Sequence, residues 1–344
     1  MNRFEYNMFM INEQNYKTRW KQLMWKYVLK RLLWMLVTVV GIAFVIFTLL
    51  YFTPGDPAQL MLGETATEAE VAALNHNLGL DQPYIVQLFD FLYNTFIKFD
   101  LGVSWLYKVN VMDELWTRLP RTVCIGLAQM ILTIVIGLPL GILAARHQGK
   151  WQDYGVIGLC MVLVSVPGLW LAIECVIIFS LNLGWLPANG IGSFSCYILP
   201  VLTGIFGGVA SNARQMRSSM LETIRADFIT TARAKGQKER VVVMKHMIPN
   251  AMMPIITMLG SSLAHVVAGS TITEKIFNIP GVGLYLLNGI TYRDYPVVRG
   301  CTLFLGIFSM LVMLLVDLCY AWLDPRVKAQ YSSQGAGGLR RKKV

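Results

Sequence analysis

Charge is scarce in this chain of 344 residues, where charged residues make up 15% of the sequence and apolar residues 55%. An ordinary soluble globule carries about 25% charged residues, so the composition argues against that class. The few charges are also unevenly placed, since the stretch Gly184–Tyr197 contains no Lys or Arg. The composition therefore indicates a protein that buries much of its surface in lipid.

The chain also lacks the motifs of several enzyme classes. Its six cysteines form no C-x-x-C pair and no zinc-ligand spacing, so we interpret them as small apolar packing residues and expect no metal site. No G-x-x-x-x-G-K-S/T phosphate loop occurs, and G-x-S-x-G and H-E-x-x-H are absent too. We therefore expect no catalytic residue, no bound cofactor and no ATP hydrolysis by this chain.

Six stretches are long and apolar enough to span a bilayer, whose apolar core of about 30 Å takes about 20 helical residues. They are Leu32–Phe52, Thr122–Ala145, Val156–Leu183, Ile198–Met220, Ala251–Ile272 and Cys301–Leu323. Unpaired backbone groups are costly in lipid, so each span should be helical. The predicted fold class is an all-α integral membrane protein with six transmembrane helices. Its small-residue motifs, Gly137–Gly141 and Gly204–Gly208, favour close helix packing.

The basic residues predict the orientation of these spans. Lys and Arg are concentrated in the N-terminal tail 1–31, the connections 146–150 and 214–245, and the C-terminal tail 324–344. The positive-inside rule places all four regions in the cytoplasm, together with both termini. The net charge of +10 then lies beside an anionic leaflet and gives no support to nucleic-acid binding.

The connection 54–119 is acidic and too long for a bare linker, so we expect a small folded extracytoplasmic cap. Thr67 followed by Glu70 is the signature of a capping box at a helix start. A turn at Gly79–Pro83 and a second amphipathic helix over Tyr84–Phe99 should follow.

A second outer element, Glu274–Gly283 followed by Arg293–Gly300, precedes the last span. Pro280 and Gly281 interrupt a helix there. The mixture of apolar and turn-forming residues suits a re-entrant hairpin that lines a polar cavity. An ordinary amphipathic surface loop is also compatible with it, and both alternatives stay open.

The inner connection 221–250 is polar and helix-prone, and it contains no catalytic constellation. Alanines within Thr231–Lys235 favour helix, and Gly236 is placed to end it. Pro249 marks the return to the fifth span. A short exposed helix between two spans can carry force from a partner into the membrane domain. Alternatively, this basic loop only sets the topology.

Thr231-Ala-Arg-Ala-Lys-Gly236, together with His246-Met-Ile-Pro-Asn-Ala251, resembles the cytoplasmic loop of the dipeptide/oligopeptide family of ABC-importer permeases. In that family the loop is a version of the EAA motif, and the resemblance is to oligopeptide permease B-like members. Further matches in order are Pro54-Gly-Asp-Pro-Ala58, Leu78-Gly-Leu-Asp-Gln-Pro83, Trp185-Leu-Pro187, Pro280-Gly-Val-Gly283 and Asp324-Pro-Arg326. The resemblance covers most of the chain but not residues 1–24 or those after Gln330.

The resemblance implies the type I ABC importer transmembrane-domain fold. A first transmembrane helix at 32–53 would precede a five-helix domain at 121–321 that contains the coupling loop 221–250. It implies a permease subunit that forms half of a pathway for di- or oligopeptides and works by alternating access. The expected partners are a second homologous permease, two cytoplasmic ATPases carrying ATP and Mg, an extracytoplasmic substrate-binding protein and membrane lipid. The expected location is the bacterial inner membrane.

The resemblance also implies roles for individual residues. The coupling helix, its turn and its supports, which would dock on an ATPase, are Asp227, Thr231, Ala232, Arg233, Ala234, Lys235, Gly236, His246 and Pro249. The broader motif has Glu where this chain has Thr230, and Arg233 and Lys235 are expected to pair with acidic groups of the ATPase. Candidate contacts for the binding protein are Glu274, Pro280, Gly281, Arg293 and Asp294.

Two ionisable residues lie inside predicted spans, Glu174 in the third and His265 in the fifth. Ionisable groups at that depth are functional candidates, so each is a candidate pathway residue. A polar contact between helices is the alternative for both.

Two alternatives to peptide import remain open. The same family includes importers of nickel, glutathione and other small solutes, and the permease discriminates poorly because much of the selectivity belongs to the binding protein. An ion-coupled secondary transporter is an alternative of another class. Such carriers usually show internal repeats and interrupted helices, and no convincing repeat is found in this sequence.

Overall fold

The computed structural model describes residues 3–63, 65–269 and 271–323, and the predicted C-terminal tail 324–344 lies outside this part of the chain. The helices are α1 (Arg3–Tyr51), α2 (Pro57–Leu62), α3 (Glu68–Asn77), α4 (Tyr84–Phe96), α5 (Val111–Arg146), α6 (Trp151–Ser165), α7 (Gly168–Cys175), α8 (Ser195–Ile224), α9 (Asp227–Ala234), α10 (Glu239–Val241), α11 (Ile248–Gly269), α12 (Thr271–Ile276), α13 (Val282–Thr291) and α14 (Tyr295–Leu323). Two π-helical segments lie at Val176–Asn182 and Val242–Met247. Beyond one isolated bridge between Val103 and Asn110, the described residues form no strand. The predicted all-α class is confirmed.

Among the residues that the structure describes, five helical segments are long and apolar enough to cross a membrane, and a bent helix pair makes a sixth if it counts as one span. The five are Val28–Tyr51, Val111–Arg146, Ser195–Ile224, Glu239–Gly260 and Tyr295–Leu318. The predicted third span is not one helix, because α6 and the unit formed by α7 and the first π segment meet at an angle of 92°. Pro167 explains the break: a proline disfavours helical geometry at the residue before it, and Val166 is extended at φ −84° and ψ 122°.

Two helices extend further than the sequence predicted. The first helix begins at Arg3, so most of the predicted N-terminal tail is helical and continuous with the first span. The helix α5 begins at Val111, before the predicted start of the second span at Thr122. Residues 111–119 therefore belong to α5, and the cap comprises residues 54–110.

The helices α5 and α8 approach closely where each carries glycines of a predicted small-residue motif. A Cβ atom at Gly141 would collide with the carbonyl oxygen of Ala213 and lie 2.6 Å from the Cβ of Met216. From the other side, a Cβ atom at Gly208 would lie 2.8 Å from Cγ2 of Thr133. A side chain at either position would push the two backbones apart, so the packing predicted from these motifs is confirmed.

At the end of the bundle that carries α9, an apolar cluster joins α5, α8, α9, the second π segment and α11. Its buried members are Leu138, Ala145, Met216, Met220, Ile229, Ala232, Val242, Val243, Met247, Ala251 and Ile255. Beside it, the Arg217 guanidinium donates two hydrogen bonds, of 2.6 and 2.7 Å, to the buried carboxylate of Asp153. This pair ties the start of α6 to α8, because a buried carboxylate is tolerated when it is paired and hydrogen-bonded.

The cap lies at the opposite end of the bundle and contains α2, α3 and α4. The predicted capping box starts α3, since the Thr67 hydroxyl accepts from the Glu70 N–H and the Glu70 carboxylate accepts from the Thr67 N–H at 2.9 Å. These bonds lower the pKa of Glu70. The helix α4 packs on the end of α1, where the rings of Phe47 and Phe91 stack with centroids 5.6 Å apart. Both predicted cap helices are present.

Between the last two spans, α12 and α13 form a hairpin that packs into the bundle. Phe277 and Ile279, in the turn between the two helices, are 1% and 0% exposed. Val282 and Tyr285 of α13 are buried in a cluster with residues of α5 and α14. This burial contradicts an amphipathic surface loop and favours the hairpin. The buried side chains of Phe277, Ile279, Val282 and Tyr285 meet apolar clusters, so the polar cavity that the hairpin was expected to line stays a prediction.

The substitution Gly141→Ala is expected to destabilise the chain by about 1–3 kcal/mol, because the added methyl group overlaps the backbone of α8. Thermal unfolding of the detergent-solubilised chain, followed by circular dichroism, measures the change. Gly158→Ala on α6 is the matched control, since a Cβ atom there has no neighbour within 4 Å. An unchanged melting temperature for Gly141→Ala would contradict the close packing of α5 and α8.

Candidate functional site

The helix α9 ends in the way that Gly236 predicts. Gly236 has a φ of +73°, and its N–H donates to the carbonyl oxygen of Arg233 at 2.9 Å. The N–H of Gln237 donates to the carbonyl oxygen of Ala232 at 3.4 Å. These two bonds form a Schellman motif, whose left-handed position favours glycine. The predicted helix and its glycine terminus are confirmed, and the chain turns back towards the bundle from there.

One face of α9 is buried and the other is exposed. Ile229 and Ala232 are 0% and 7% exposed and belong to the apolar cluster at this end of the bundle. The opposite face carries the exposed residues Asp227, Thr230, Thr231 and Ala234. Ala232 therefore seats the helix and does not face a partner. The predicted docking residues Asp227, Thr231 and Ala234 lie on the opposite face and are accessible.

The two basic residues of the predicted docking surface differ in their contacts. Arg233 donates from Nη2 to one oxygen of Glu239 at 2.7 Å and from Nε to the other at 3.2 Å. The hydrogen bonds to Glu239 raise the pKa of Arg233. Lys235 is exposed and forms no ion pair with the residues that the structure describes. The Arg233 guanidinium is thus engaged by a carboxylate of its own loop in an exposed pair, and its contact with an ATPase stays a prediction.

The return from α9 to α11 is braced by side chains of the loop. Nε2 of His246 lies 2.9 Å from Oε1 of Gln237, just beyond the glycine turn. The amide of Asn250 donates to the carbonyl oxygen of His246 at 2.7 Å. Pro249 is exposed in the first turn of α11. His246 therefore contacts the loop that it was predicted to support.

The candidate pathway residues lie on different helices. Glu174, on α7, is partly buried and has no hydrogen bond or ion pair within the described ranges. The side chain of His265, on α11, lies outside what the structure describes. A third ionisable group in a span, Asp317 of α14, lies 2.6 Å from Nη2 of Arg31 and so ties α14 to α1. In the same described ranges, no cluster of three His, Cys, Asp or Glu residues could hold a metal ion.

Glu274 is 0% exposed, so its predicted contact with a binding protein is corrected. Its carboxylate accepts hydrogen bonds from the hydroxyl of Thr122 at 2.7 Å and from the N–H of Leu284 at 2.9 Å. Gly281 is buried against the same carboxyl group, which a Cβ atom at that position would overlap. Glu274 and Gly281 therefore join α12 and α13 to α5 and leave no surface for a partner.

Asp294 is also buried, with 2% of its surface exposed. Its carboxylate accepts from the Ser104 hydroxyl at 2.5 Å and from the N–H of Trp105 at 3.2 Å. It fastens the last segment of the cap to the start of α14, which corrects its predicted role at the surface. Of the five predicted contacts for a binding protein, only Pro280 and Arg293 are partly exposed.

Three exposed apolar residues near the proposed partner surfaces were not predicted from the sequence. Phe228, at the border of the exposed face of α9, is 46% exposed. Ile290 and Tyr292, at the turn between α13 and α14, are each 54% exposed. Aromatic residues at such positions are common anchors of protein interfaces. The aromatic ring beside Asp227, at the start of the predicted coupling helix, was the available signal for Phe228.

Two family models together match most of the chain. Residues 137–329 match the model described as binding-protein-dependent transport system inner membrane component. Residues 24–126 match the model for the N-terminal part of the membrane component of such systems. The chain therefore belongs to the family of inner membrane components of binding-protein-dependent transport systems. The resemblance proposed from the sequence is confirmed, and the chain is a multi-pass membrane permease subunit.

Similar proteins carry names of different transport systems. The dipeptide transport system permease protein DppB of Alkalihalophilus pseudofirmus is 36% identical over 334 residues, which cover 88% of this chain and 99% of that protein. The glutathione transport system permease protein GsiC of Salmonella choleraesuis is 37% identical over 306 residues, which cover 89% of this chain and 99% of that protein. Both similarities extend over nearly the whole length of the relative.

Two solved structures share the fold. An amino acid ABC transporter aligns with a TM-score of 0.51 and 15% identity over 62% of this chain and 95% of that one. The MetNI methionine ABC transporter, in an inward-facing conformation, aligns with a TM-score of 0.51 and 19% identity over 62% of this chain and 97% of that one. The chain thus has the type I ABC importer transmembrane-domain fold.

Ala232→Asp is expected to detach α9 from the bundle, because a buried carboxylate without a partner costs about 1–3 kcal/mol or more. Hydrogen exchange of the α9 amides, measured by mass spectrometry, should become faster. Ala234→Asp makes the same change on the exposed face of the same helix and should alter stability by less than about 0.5 kcal/mol. Equal exchange rates in the two variants would show that Ala232 does not seat α9.

Glu274→Ala is expected to lower the melting temperature, because the Thr122 hydroxyl and the Leu284 N–H lose their buried acceptor at a cost of about 1–3 kcal/mol. Glu274→Gln keeps an acceptor in place and should lose less. Lys275→Ala, at the exposed neighbour, is the control and should change stability by less than about 0.5 kcal/mol. If Glu274→Ala and Lys275→Ala melt alike, the carboxylate does not join the hairpin to α5.

Proposed function

We propose that this chain is the permease subunit of an ATP-driven importer and forms half of a translocation pathway for di- or oligopeptides. The observation that carries the proposal is the seating of α9, which buries Ile229 and Ala232 in the bundle and exposes its other face. A packed interior transmits strain, so a helix held in this way moves together with α5, α8 and α11. A partner that binds the exposed face can therefore move the membrane helices.

The chain lacks a phosphate loop, so the proposal requires two ATPase subunits that bind ATP and Mg and dock on the α9 end. That end is cytoplasmic in the proposed orientation, as are both termini. A second homologous permease completes the twelve spans of the pathway. The membrane is the bacterial inner membrane, and the extracytoplasmic binding protein meets the cap side, where Pro280, Arg293, Ile290 and Tyr292 are accessible.

Glu174 remains the proposed pathway residue of this chain. A carboxylate in a membrane segment is costly unless it is paired or meets water, and no described residue pairs with it. A position on α7, just after the break at Pro167, lets it face either the pathway or the second permease. His265 stays a proposed pathway residue on its sequence position alone.

Glutathione is a second candidate solute, because the similarity to the glutathione permease GsiC is as extensive as that to the dipeptide permease DppB. The ion-coupled alternative is set aside. The break between α6 and α7 is an interruption of the kind found in secondary carriers, but the family is that of binding-protein-dependent systems.

The test is mass spectrometry of the proteins that co-purify with this chain from gently solubilised native membranes, followed by peptide uptake in reconstituted vesicles. A second permease, two kinds of ATPase or one in two copies, and ATP-dependent uptake are the expected results. Recovery of this chain alone, with uptake that survives ATP depletion and fails with an uncoupler, would overturn the proposal.

A substitution at Gly236, in the turn that ends α9, makes the co-purification test specific for this helix. Gly236→Val should reduce recovery of the ATPases and leave membrane insertion and the second permease unchanged, since a left-handed conformation costs a side chain about 1–2 kcal/mol. Gly192→Val, in a loop remote from α9 where a Cβ atom has no neighbour within 4 Å, is the matched control.

A further inference from the structure

The cap contains a cavity of about 990 Å³ between the end of α1, the helices α3 and α4, and the start of α14. This volume is at the upper end of the range of small-molecule sites, which is about 300–1,000 Å³. Its aromatic lining consists of Phe47, Tyr51, Phe91, Trp105 and Tyr295. Aromatic walls with a few polar groups are the usual composition of a ligand site.

The helix α4 supplies much of the polar lining of this open cavity. It lines the cavity with Gln87, Asp90, Phe91, Asn94 and Thr95, which follow one stripe at helical spacing. Beside this stripe, Phe91, Leu92 and Phe96 pack against Val39, Ala43 and Leu303 of α1 and α14. These apolar contacts hold α4 on the bundle with its polar stripe towards the cavity.

Two opposite charges line this cavity without meeting an ion partner. The guanidinium of Arg299 lies 4.9 Å from the ring centre of Phe91 and 5.7 Å from that of Phe47, and its Nε donates to the carbonyl oxygen of Tyr295 at 3.3 Å. Neither Arg299 nor Asp90 forms an ion pair with any residue that the structure describes, including each other. A guanidinium has five N–H donors, so most of its capacity is unused.

The other carboxylates of the cavity are already engaged. Asp56 accepts from the N–H of Ala58 and from the amide of Asn75, both within hydrogen-bond distance. Asp81 lies 2.7 Å from Nδ1 of His76 and raises the pKa of that imidazole through the hydrogen bond. Asp100 accepts a hydrogen bond from the backbone N–H of Gly102 at 2.8 Å. Asp90 is thus the carboxylate that remains available.

One neutral group of the same lining also lacks a partner among the described residues. Oδ1 of Asn75 is buried and accepts no hydrogen bond. The mostly buried Thr95 adds a hydroxyl to the same lining. Buried polar groups are nearly always satisfied, so an acceptor left open at this cavity points to something that binds there.

We propose that the cap cavity binds a small zwitterion, an amino acid or a short peptide. Its carboxylate pairs with Arg299 and its ammonium group with Asp90, while Asn75 and Thr95 supply further hydrogen bonds. A ligand that carries both charges is favoured, because a simple anion or a simple amine satisfies only one of the two groups. The site lies in the cap, remote from α9, and the inference does not depend on the proposed function.

The test is calorimetric titration of dialanine into the full chain in lipid nanodiscs. Saturable binding is expected, weakened about ten-fold or more by Arg299→Met or Asp90→Asn, because each removes a charge-assisted contact. Asp81→Asn is the matched control: it makes the same change in the same cavity, but at a carboxylate already held by His76, and it should leave binding unchanged. Arg299→Lys keeps a cation and should retain binding, which separates loss of charge from loss of fold.

The ligand provides a second, independent control on the unaltered chain. N-acetyl-dialanine lacks the ammonium group and dialanine amide lacks the carboxylate, and each should bind about ten-fold more weakly or worse. Equal affinity for all three ligands, equal affinity of Arg299→Met and the unaltered chain, or no saturable binding of dialanine would overturn the proposal. The titration contains no ATPase and tests only the cap cavity, so its failure would leave the proposed docking of ATPases on α9 and ATP-dependent uptake standing.

Discussion

The close approach of α5 and α8 is the constraint on which the rest of the structure depends. Gly141 and Gly208 bring the two backbones together from opposite sides, at positions where no side chain fits. Their convergence aligns Leu138 and Met216 in the apolar cluster that holds α9. In lipid, helices gain little from hiding apolar surface from water, so van der Waals contact between small residues has to hold them together. The seat of α9 is therefore a consequence of glycine placement deep in the bundle.

Buried carboxylates hold the ends of the same bundle. Asp153 joins α6 to α8 near the seat of α9, while Glu274 and Asp294 join the hairpin and the cap to the helices at the other end. All three are nearly inaccessible, and each accepts at least two hydrogen bonds. A buried acid left without such partners would cost more than these contacts contribute. The outer hairpin is therefore part of the bundle and not a loop attached to it.

Much of this fold was predictable from periodicity and turn chemistry. The capping box at Thr67, the glycine terminus at Gly236 and the small-residue motifs are local signals that act within a few residues, and the structure confirms each of them. The prediction of a continuous third span was wrong. In the sequence, Pro167 indicated a break, but hydropathy averaged over a long window does not respond to one proline. A straight apolar helix and a broken one can have the same composition, so composition alone does not distinguish them.

Burial was less predictable than secondary structure. Glu274 and Asp294 were predicted as contacts for a binding protein, and both are buried. Their partners, Thr122 and Ser104, are more than a hundred residues away in sequence, and no local pattern indicates such a pairing. The same limit applies to the cap cavity, whose charged groups come from α4 and α14 and meet only in the folded chain.

The surface that α9 leaves exposed indicates how a partner would recognise it. Arg233 is held by Glu239 in an exposed pair, which contributes at most about 1 kcal/mol and therefore orients the turn more than it stabilises it. Glu239 gives the loop a carboxylate although Thr230 stands where the broader motif has one. The exposed face of the helix itself is small, and exposed basic residues flank it, with Arg225 before the helix and Lys238, Arg240 and Lys245 after it. Phe228 then serves as an apolar anchor at the helix, and the flanking charges contribute register and orientation to the recognition of a partner.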